Sequence, residues 1–307
     1  DAGIAGPPCG SFSQANLQKT KKATADAADL LIECVSLGLQ AGHKVFVCEN
    51  VSDALSVQHG AITARLAALA SEHTYVMHLC IMDPTKHNGC QTRPRPHFVF
   101  VQSALHARRG KFDVPTPPAT GSTPTMLQHL SDPSILPMDD LRDLHQWTKC
   151  RNAHEYTYDG ALMEYTCRTG PKTIIKAYNP DGPCPTICTN GIIIYDPTPG
   201  AECFRRVHSS ELMRMHGMPT DFSFPAHFTE AQKVRLIGLG MDGYSILALG
   251  NAIRDYIRGT FDPKSDSMCC SVIHPGNVHI GAAAITACTE CTRAADCTEK
   301  DRRAALD

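Results

Sequence analysis

The chain has 307 residues and a formal net charge of −2, so it can bury a substantial core and is long enough for roughly two domains. A net charge so close to zero does not attract nucleic acid to the chain as a whole, so contact with nucleic acid would need a local basic surface. No apolar run of about 18 residues is present, and no basic stretch followed by an apolar one opens the sequence. These features predict a soluble, unsecreted protein.

The fifteen cysteines are scattered through strand-like and helix-like segments, and their odd number leaves at least one unpaired in any all-disulfide scheme. A reducing, intracellular compartment is therefore the better prediction. Cys288 and Cys291 form a C-x-x-C pair, but no second pair has comparable spacing, so we predict no metal site. Alanine-rich helical segments alternate with β-branched runs, which predicts an α/β architecture.

The first recognisable element is a tight loop around Cys9. A short apolar lead, residues 3–6, runs into Pro7 and Pro8, which stop any strand or helix, and small residues follow the cysteine. A thiol presented on such a loop can meet a substrate, and it becomes a nucleophile once it is a thiolate. The alternative is that Cys9 is an ordinary turn cysteine.

The next elements are a helix from Thr24 and a strand over residues 44–48. The helix is indicated by apolar residues at helical spacing, and the strand is a continuous apolar run that suits burial on both faces. Glu49 comes directly at the end of this strand. Because ligands bind outside the carboxyl ends of strands in open parallel sheets, this carboxylate is placed for chemistry, unless it only caps the next helix.

A second helix, over residues 60–71, and a strand candidate, over 75–81, precede the extended segment 91–101. This segment carries Arg93 and Arg95, whose side chains are predicted to point the same way because side-chain direction alternates along a strand. Such a pair could grip one small planar or anionic partner. The alternative is a solvated basic strand edge.

The composition then changes to Pro, Thr, Ser and Gly over residues 115–137, which marks a linker or an irregular crossing between domains. The following stretch, 147–195, lacks a helical period and suits a β-rich module. A helix is then predicted with Ser209 as its cap and Gly217 as its stop, and a last helix opens at 249–253.

Taken in this order, the segments resemble the ordered motifs of the DNA cytosine-5 methyltransferases. The resemblance covers residues 3 to about 259, and the fixed order is more specific than any single motif. By it, the chain carries the nucleophile loop at 6–13, the ENV motif at 49–51, the paired-arginine motif at 91–95, the end of the target-recognition region at 185–187, the ninth motif at 205–219 and the tenth at 250–251.

The resemblance implies an α/β fold: the C-terminal part of a Rossmann-like methyltransferase domain that depends on S-adenosylmethionine, with a smaller β-rich target-recognition lobe. The implied organisation is an incomplete catalytic domain at 1–112, a linker and target-recognition region at 113–200, a return to the catalytic domain at 201–263 and a tail of unknown structure at 264–307.

The resemblance also implies the chemistry. Cys9 is expected to add to carbon 6 of a cytosine, and Glu49 to protonate ring nitrogen 3 as a general acid. Arg95, with Arg93 nearby, is expected to hold the exocyclic oxygen. Because these ring atoms are hidden in double-stranded DNA, the target cytosine would be flipped out into the pocket.

The remaining implied contacts are with the donor and with DNA. S-adenosylmethionine is the implied cofactor, and double-stranded DNA the implied partner, in the nucleus of a eukaryote or the cytoplasm of a bacterium. The residues assigned to the donor are Pro8, Asn251 and Ala252, and those assigned to nucleic acid are Ser13, Gln14, Thr186 and Arg205.

Two departures from the family pattern leave alternatives open. The glycine-rich and acidic motifs that hold the donor in the family have no counterpart here, so the chain is expected to be a fragment, to depend on a second chain, or to be inactive. Ser210 stands where the family usually carries arginine before the glutamate. The alternative functions are a tRNA cytosine-5 methyltransferase of the same fold, an inert nucleic-acid-binding remnant and, less favoured, a thiol hydrolase.

Overall fold

The computed structural model of the chain describes residues 1–9, 12, 21–56, 60–115, 123–131, 147–149, 157–158, 161–168, 174–196, 203–260 and 270–273. In chain order, its elements are β1 (Ala2–Ala5), α1 (Lys21–Gln40), β2 (Val45–Glu49), α2 (Asp53–Ser56), α3 (Ala61–Glu72), β3 (Tyr75–Met82), β4 (Arg95–Gln102), α4 (Ser103–Arg109), β5 (Trp147–Lys149), β6 (Thr157–Tyr158), β7 (Ala161–Arg168), β8 (Ile174–Tyr178), β9 (Ile193–Asp196), β10 (Cys203–Arg206), α5 (Ser209–Met215), α6 (Glu230–Leu239), α7 (Gly243–Arg258) and β11 (Cys270–Ile273).

The described residues divide into two compact units. The first contains Asp1–Met82, Pro94–Pro115 and those from Leu249 onward, and the second contains Asp83–Arg93 and those of Thr116–Ala248. The second unit therefore includes much of the segment that the resemblance returns to the catalytic domain. The domain boundaries given above stay a prediction, and the cysteine-rich tail lies outside the described residues apart from β11.

The first unit is built on a sheet with the strand order β1-β2-β4-β3-β11. β1 runs parallel to β2, with Ala5 paired to Cys48, whereas β4 runs antiparallel to both of its neighbours, with His97 opposite Glu49. The central strands β2 and β4 are buried along almost their whole length, which explains their apolar runs at residues 45–48 and 98–101. The helices and strands predicted before residue 102 are all present, with their ends displaced by a few residues.

The helices α1 and α3 cover the sheet of the first unit and form one apolar core with it. Gly38 on α1 sits directly against the ring of Phe46 on β2, and a Cβ atom on this glycine would lie 2.3 Å from the ring. The missing side chain thus sets how closely α1 approaches the sheet.

The second unit contains a sheet with the order β10-β9-β8-β7-β5, with β6 paired to β7. Its pairings are antiparallel except for the parallel pair β8–β9. The helix α5 begins one residue earlier than predicted, because His208 caps it in place of Ser209. The His208 side chain accepts a hydrogen bond from the N–H of Ser210, and the Glu211 side chain accepts one from the N–H of His208. It is followed by Gly217 in the left-handed region (φ 69°), as predicted.

No single helix among the described residues is long and apolar enough to cross a membrane, although the bent pair α6 and α7 meets the length and composition criteria when taken together.

Replacement of Gly38 by alanine is expected to destabilise the first unit by about 1–3 kcal/mol, because the new methyl group must displace the buried Phe46 ring. The matched control is Gly250→Ala on α7, where a Cβ atom meets nothing within 4 Å and the better helix propensity of alanine should stabilise. Urea denaturation of both variants measures the difference. Equal stabilisation by the two changes would contradict the close approach of α1.

Candidate active site

Strand pairing brings three predicted catalytic residues to one end of the first sheet. The loop with Cys9 follows the C-terminal end of β1, and Glu49 is the last residue of the parallel neighbour β2. Arg95 is the first residue of β4, which runs the other way and so begins where β2 ends. The three residues therefore share one sheet edge although they are spread over almost 90 positions of the sequence.

The Cys9 loop is anchored by the residue three positions further along. Phe12 is 1% exposed in the core of the first unit, and its N–H donates to the carbonyl of Cys9 at 2.9 Å. Cys9 is a free, partly exposed thiol that packs against this core, and Pro8 beside it is exposed. The buried phenylalanine thus fixes the backbone that presents the thiol. Ser13 and Gln14 lie outside the described residues.

Glu49 and Arg95 form a largely enclosed ion pair. The Nε atom of Arg95 lies 3.6 Å from Oε1 of Glu49, and the side chains are 18% and 12% exposed. The next residue, Asn50, is buried, and its N–H donates to the carbonyl of Pro96 at 3.1 Å. The backbone on both sides of the ion pair is therefore held by the β2–β4 pairing, and the carboxylate has a fixed place beside a cation.

Arg93 has partners different from those of Arg95. Its Nη1 and Nη2 atoms donate to the carbonyls of Ile187 and Gly240, each at 3.0 Å, and the residue is 5% exposed. The predicted alternation of side chains along a strand does not apply to it, because β4 begins only at Arg95. These contacts favour a positioning role for Arg93 over a direct contact with substrate.

A buried polar network around Gln91 was not predicted from the sequence. The side-chain oxygen of Gln91 accepts from the N–H of Ile187 at 2.9 Å. Its amide nitrogen lies 3.0 Å from Nδ1 of His216 and donates to Asp242 at 3.2 Å. The glutamine of the paired-arginine motif thus holds three distant segments of the second unit together. The position of Gln91 within the motif was its only sequence signal.

Arg205 is enclosed by two carboxylates. It is 1% exposed, and its Nη1 and Nη2 atoms donate to Glu211 at 2.9 and 3.1 Å while Nε donates to Asp196 at 2.9 Å. Burial lowers the pKa of Arg205, but the bonds to Glu211 and Asp196 outweigh it, and the pKa is raised. This geometry does not support the predicted contact of Arg205 with nucleic acid, because the side chain is almost fully buried and its guanidinium is paired with two carboxylates.

The other predicted binding residues differ in burial and in their hydrogen bonds. Thr186 is partly buried and donates its hydroxyl to the carbonyl of Thr92 at 2.8 Å. Asn251 is exposed on α7, whereas Ala252 beside it is buried.

S-adenosylmethionine carries an ammonium group and ribose hydroxyls, which need acceptors such as carboxylates. Pro8, Asn251 and Ala252 offer one side-chain amide and apolar surface, so these three residues do not make a donor site by themselves. No group of three or more metal-ligating side chains suited to a metal ion lies in the part of the chain that the structure describes.

The chain has clear similarities to known methyltransferases. A family model described as C-5 cytosine-specific DNA methylase matches residues 1–242. No curated protein matches the chain in a sequence comparison.

Three solved structures illustrate the fold. EhMeth of Entamoeba histolytica has a TM-score of 0.54 and 11% identity, over 85% of this chain and 78% of that chain. Dnmt2 of S. pombe has a TM-score of 0.51 and 13% identity, over 84% and 78%. A protein of an E. coli prophage, described as a DNA modification methyltransferase, has a TM-score of 0.55 and 18% identity, over 83% and 79%. At these identities the likeness concerns the fold, which is that of the Rossmann-like methyltransferases.

Replacement of Arg205 by alanine is expected to destabilise the second unit by about 3–5 kcal/mol, because it leaves two buried carboxylates without their cation. The neighbouring Arg206 is exposed, and Arg206→Ala should change the free energy of unfolding by no more than about 0.5 kcal/mol. Denaturant unfolding measures both. If the Arg205→Ala variant were as stable as the unchanged protein but bound DNA more weakly, the result would support the predicted contact of Arg205 with nucleic acid.

A pH dependence is expected from Asp242, because burial raises the pKa of this carboxyl to about 7 against the opposing effect of the Ser245 N–H and Arg93. The folded state binds this proton more tightly than the unfolded state does, so the contribution of Asp242 to stability falls as the pH rises from about 4 to 7. Asp242→Asn should remove this fall. The test is to measure the free energy of unfolding of the unchanged protein and of Asp242→Asn between about pH 5 and pH 8. A difference between the two proteins that does not change with pH would contradict the prediction.

Proposed function

The chain belongs to the C-5 cytosine-specific DNA methylase family, and from this premise we propose that it methylates carbon 5 of cytosine in double-stranded DNA through a covalent adduct of Cys9. The observation that carries the proposal is the shared sheet edge of the Cys9 loop, Glu49 and Arg95. A nucleophile, a carboxyl group and a cation at one edge match the needs of an addition to a pyrimidine ring.

The reaction begins with the Cys9 thiolate. Carbon 5 of cytosine is a poor nucleophile, but addition of sulfur to carbon 6 turns the ring into an enamine that is nucleophilic at carbon 5. The Phe12 anchor supports this role, because its hydrogen bond holds the backbone of Cys9, and a sulfur held near one attack position loses less entropy in each turnover.

Glu49 acts on the charge that this addition creates. As sulfur bonds to carbon 6, the displaced ring electrons move toward ring nitrogen 3, and Glu49, which enters this step protonated, gives its proton there. Arg95 then faces the carboxylate that remains, at the distance of an ion pair, and stabilises it. The same guanidinium has further donors for the exocyclic oxygen of the ring.

Release of the product reverses these steps. S-adenosylmethionine, the donor typical of this family, would supply the methyl group when bound. After methylation the proton on carbon 5 leaves to water, the electrons of that carbon–hydrogen bond expel the Cys9 thiolate from carbon 6, and ring nitrogen 3 returns its proton to Glu49. A duplex hides these ring atoms, so the proposal includes flipping of the target cytosine out of the helix.

The chemistry can be tested without a methyl donor. In water, the enamine formed by Cys9 takes a proton at carbon 5, and loss of the original hydrogen from this carbon to water then expels the thiolate from carbon 6, so the hydrogen at carbon 5 is exchanged. Duplex DNA with tritium at carbon 5 of its cytosines should therefore release tritium into water in the presence of the protein. Cys9→Ser should reduce release to background, and Glu49→Gln should reduce it by about 100-fold or more.

Cys188→Ser serves as the matched control, because Cys188 is an exposed thiol on the second unit and its loss should leave tritium release unchanged. Release that survives Cys9→Ser would assign the nucleophile to another cysteine. Release from labelled RNA but not from labelled duplex DNA would favour the RNA methyltransferase alternative. Duplex binding without release from either substrate would favour the inert remnant.

A further inference from the structure

Two free thiols lie where α1 packs on β2. Cys34 lies on the helix and Cys48 on the strand, and Cys34 packs against the apolar core of which Cys48 is a buried member. Neither residue belongs to a motif of the methyltransferase family or to the proposed mechanism. Among the described cysteines, Cys80 is already disulfide-bonded, whereas this pair is reduced.

The backbone geometry places the two cysteines at the same helix–sheet contact. Gly38 approaches Phe46 closely, and Cys34 lies four residues before Gly38, on the same face of the helix. Cys48 lies two residues after Phe46, on the same face of the strand. The two cysteines are therefore the next pair along this helix–sheet contact, one helical turn from the close approach of Gly38 to Phe46.

The two thiols differ in exposure and acidity. Cys34 is partly exposed, whereas Cys48 is fully buried. A hydrogen bond from Cys48 lowers the pKa of Cys34 to about 7, against the opposing effect of burial. The same bond, together with burial, raises the pKa of Cys48. Cys34 is thus the thiol that ionises first and the one that solvent can reach.

We propose that Cys34 and Cys48 form a reversible thiol–disulfide pair that reacts with low-molecular-weight disulfides. The Cys34 thiolate attacks one sulfur of such a disulfide, forms a mixed disulfide and releases one small thiolate. Cys48 then loses its proton to solvent and attacks the Cys34 sulfur, which forms the Cys34–Cys48 bond and releases the second small thiolate. The protein pair loses two electrons, and the small disulfide gains them.

The pair lies next to the proposed catalytic carboxyl, since Cys48 directly precedes Glu49 and pairs with Ala5 on β1. The inference does not depend on the proposed function, because the thiol chemistry can be read out by itself.

The experiment treats the protein with oxidised glutathione and maps its disulfides over time by mass spectrometry of peptides. In the unchanged protein, a glutathione adduct on Cys34 should appear first and then give way to a Cys34–Cys48 disulfide, which dithiothreitol should reduce. Cys48→Ala should trap the adduct on Cys34, and Cys34→Ser should abolish the disulfide. Thermal unfolding establishes that each variant is folded.

The matched control is Cys188→Ser, which should leave formation of the Cys34–Cys48 disulfide unchanged. The time course in the unchanged protein needs no variant, so it decides the matter even if a substitution at buried Cys48 prevents folding. A persistent glutathione adduct on Cys34 in the unchanged protein would overturn the resolving role of Cys48. Absence of any modification at Cys34, while exposed Cys188 is modified, would overturn the pair altogether.

Discussion

The backbone pairing of β1, β2 and β4 is the constraint on which the candidate active site depends. Because β1 and β2 run parallel, with Ala5 paired to Cys48, the Cys9 loop and Glu49 lie at the same edge of the sheet. Because β4 runs antiparallel to β2, its first residue, Arg95, lies at that edge too. A shift of one residue in either pairing would turn every side chain of a strand to the other face. Burial of both faces of the central strands makes such a shift costly, so the register that builds the core also builds the site.

The second unit depends on buried charge as well as on apolar packing. Glu211 accepts both hydrogen bonds from Arg205 and two more from the backbone N–H groups of His208 and Ser131. One carboxylate thus joins a strand, a helix start and a distant loop. Arg205 and Glu211 of the ninth motif, six residues apart, therefore stabilise the fold of the second unit. Ser210, which stands where the family usually carries arginine, takes no part in this ion pair.

The sequence predicted the elements whose patterns are fixed by burial, such as β2 and α1, and the motif order predicted the family, which the family match confirms. It could not predict the partners of Arg93 and Arg205. An arginine looks the same in a sequence whether it faces solvent, a backbone carbonyl or a carboxylate, because these partners come from distant segments. The roles of Cys9, Glu49 and Arg95 stay predictions, although strand register now gives a physical reason for their grouping.

The contact between Tyr256 and the chain near Gly110 has a further consequence. The tyrosine hydroxyl donates to the Gly110 carbonyl, and its ring packs edge-on against Phe112. The chain leaves the first unit at Pro115 and returns at Leu249, so this clasp ties together the two ends of a long excursion. Because loop-closure entropy rises by only about 0.6 kcal/mol for each doubling of length, the excursion can lengthen or diverge at little cost to the first unit. The segment between Pro115 and Leu249 can therefore change in length and sequence during evolution while the first unit keeps its fold.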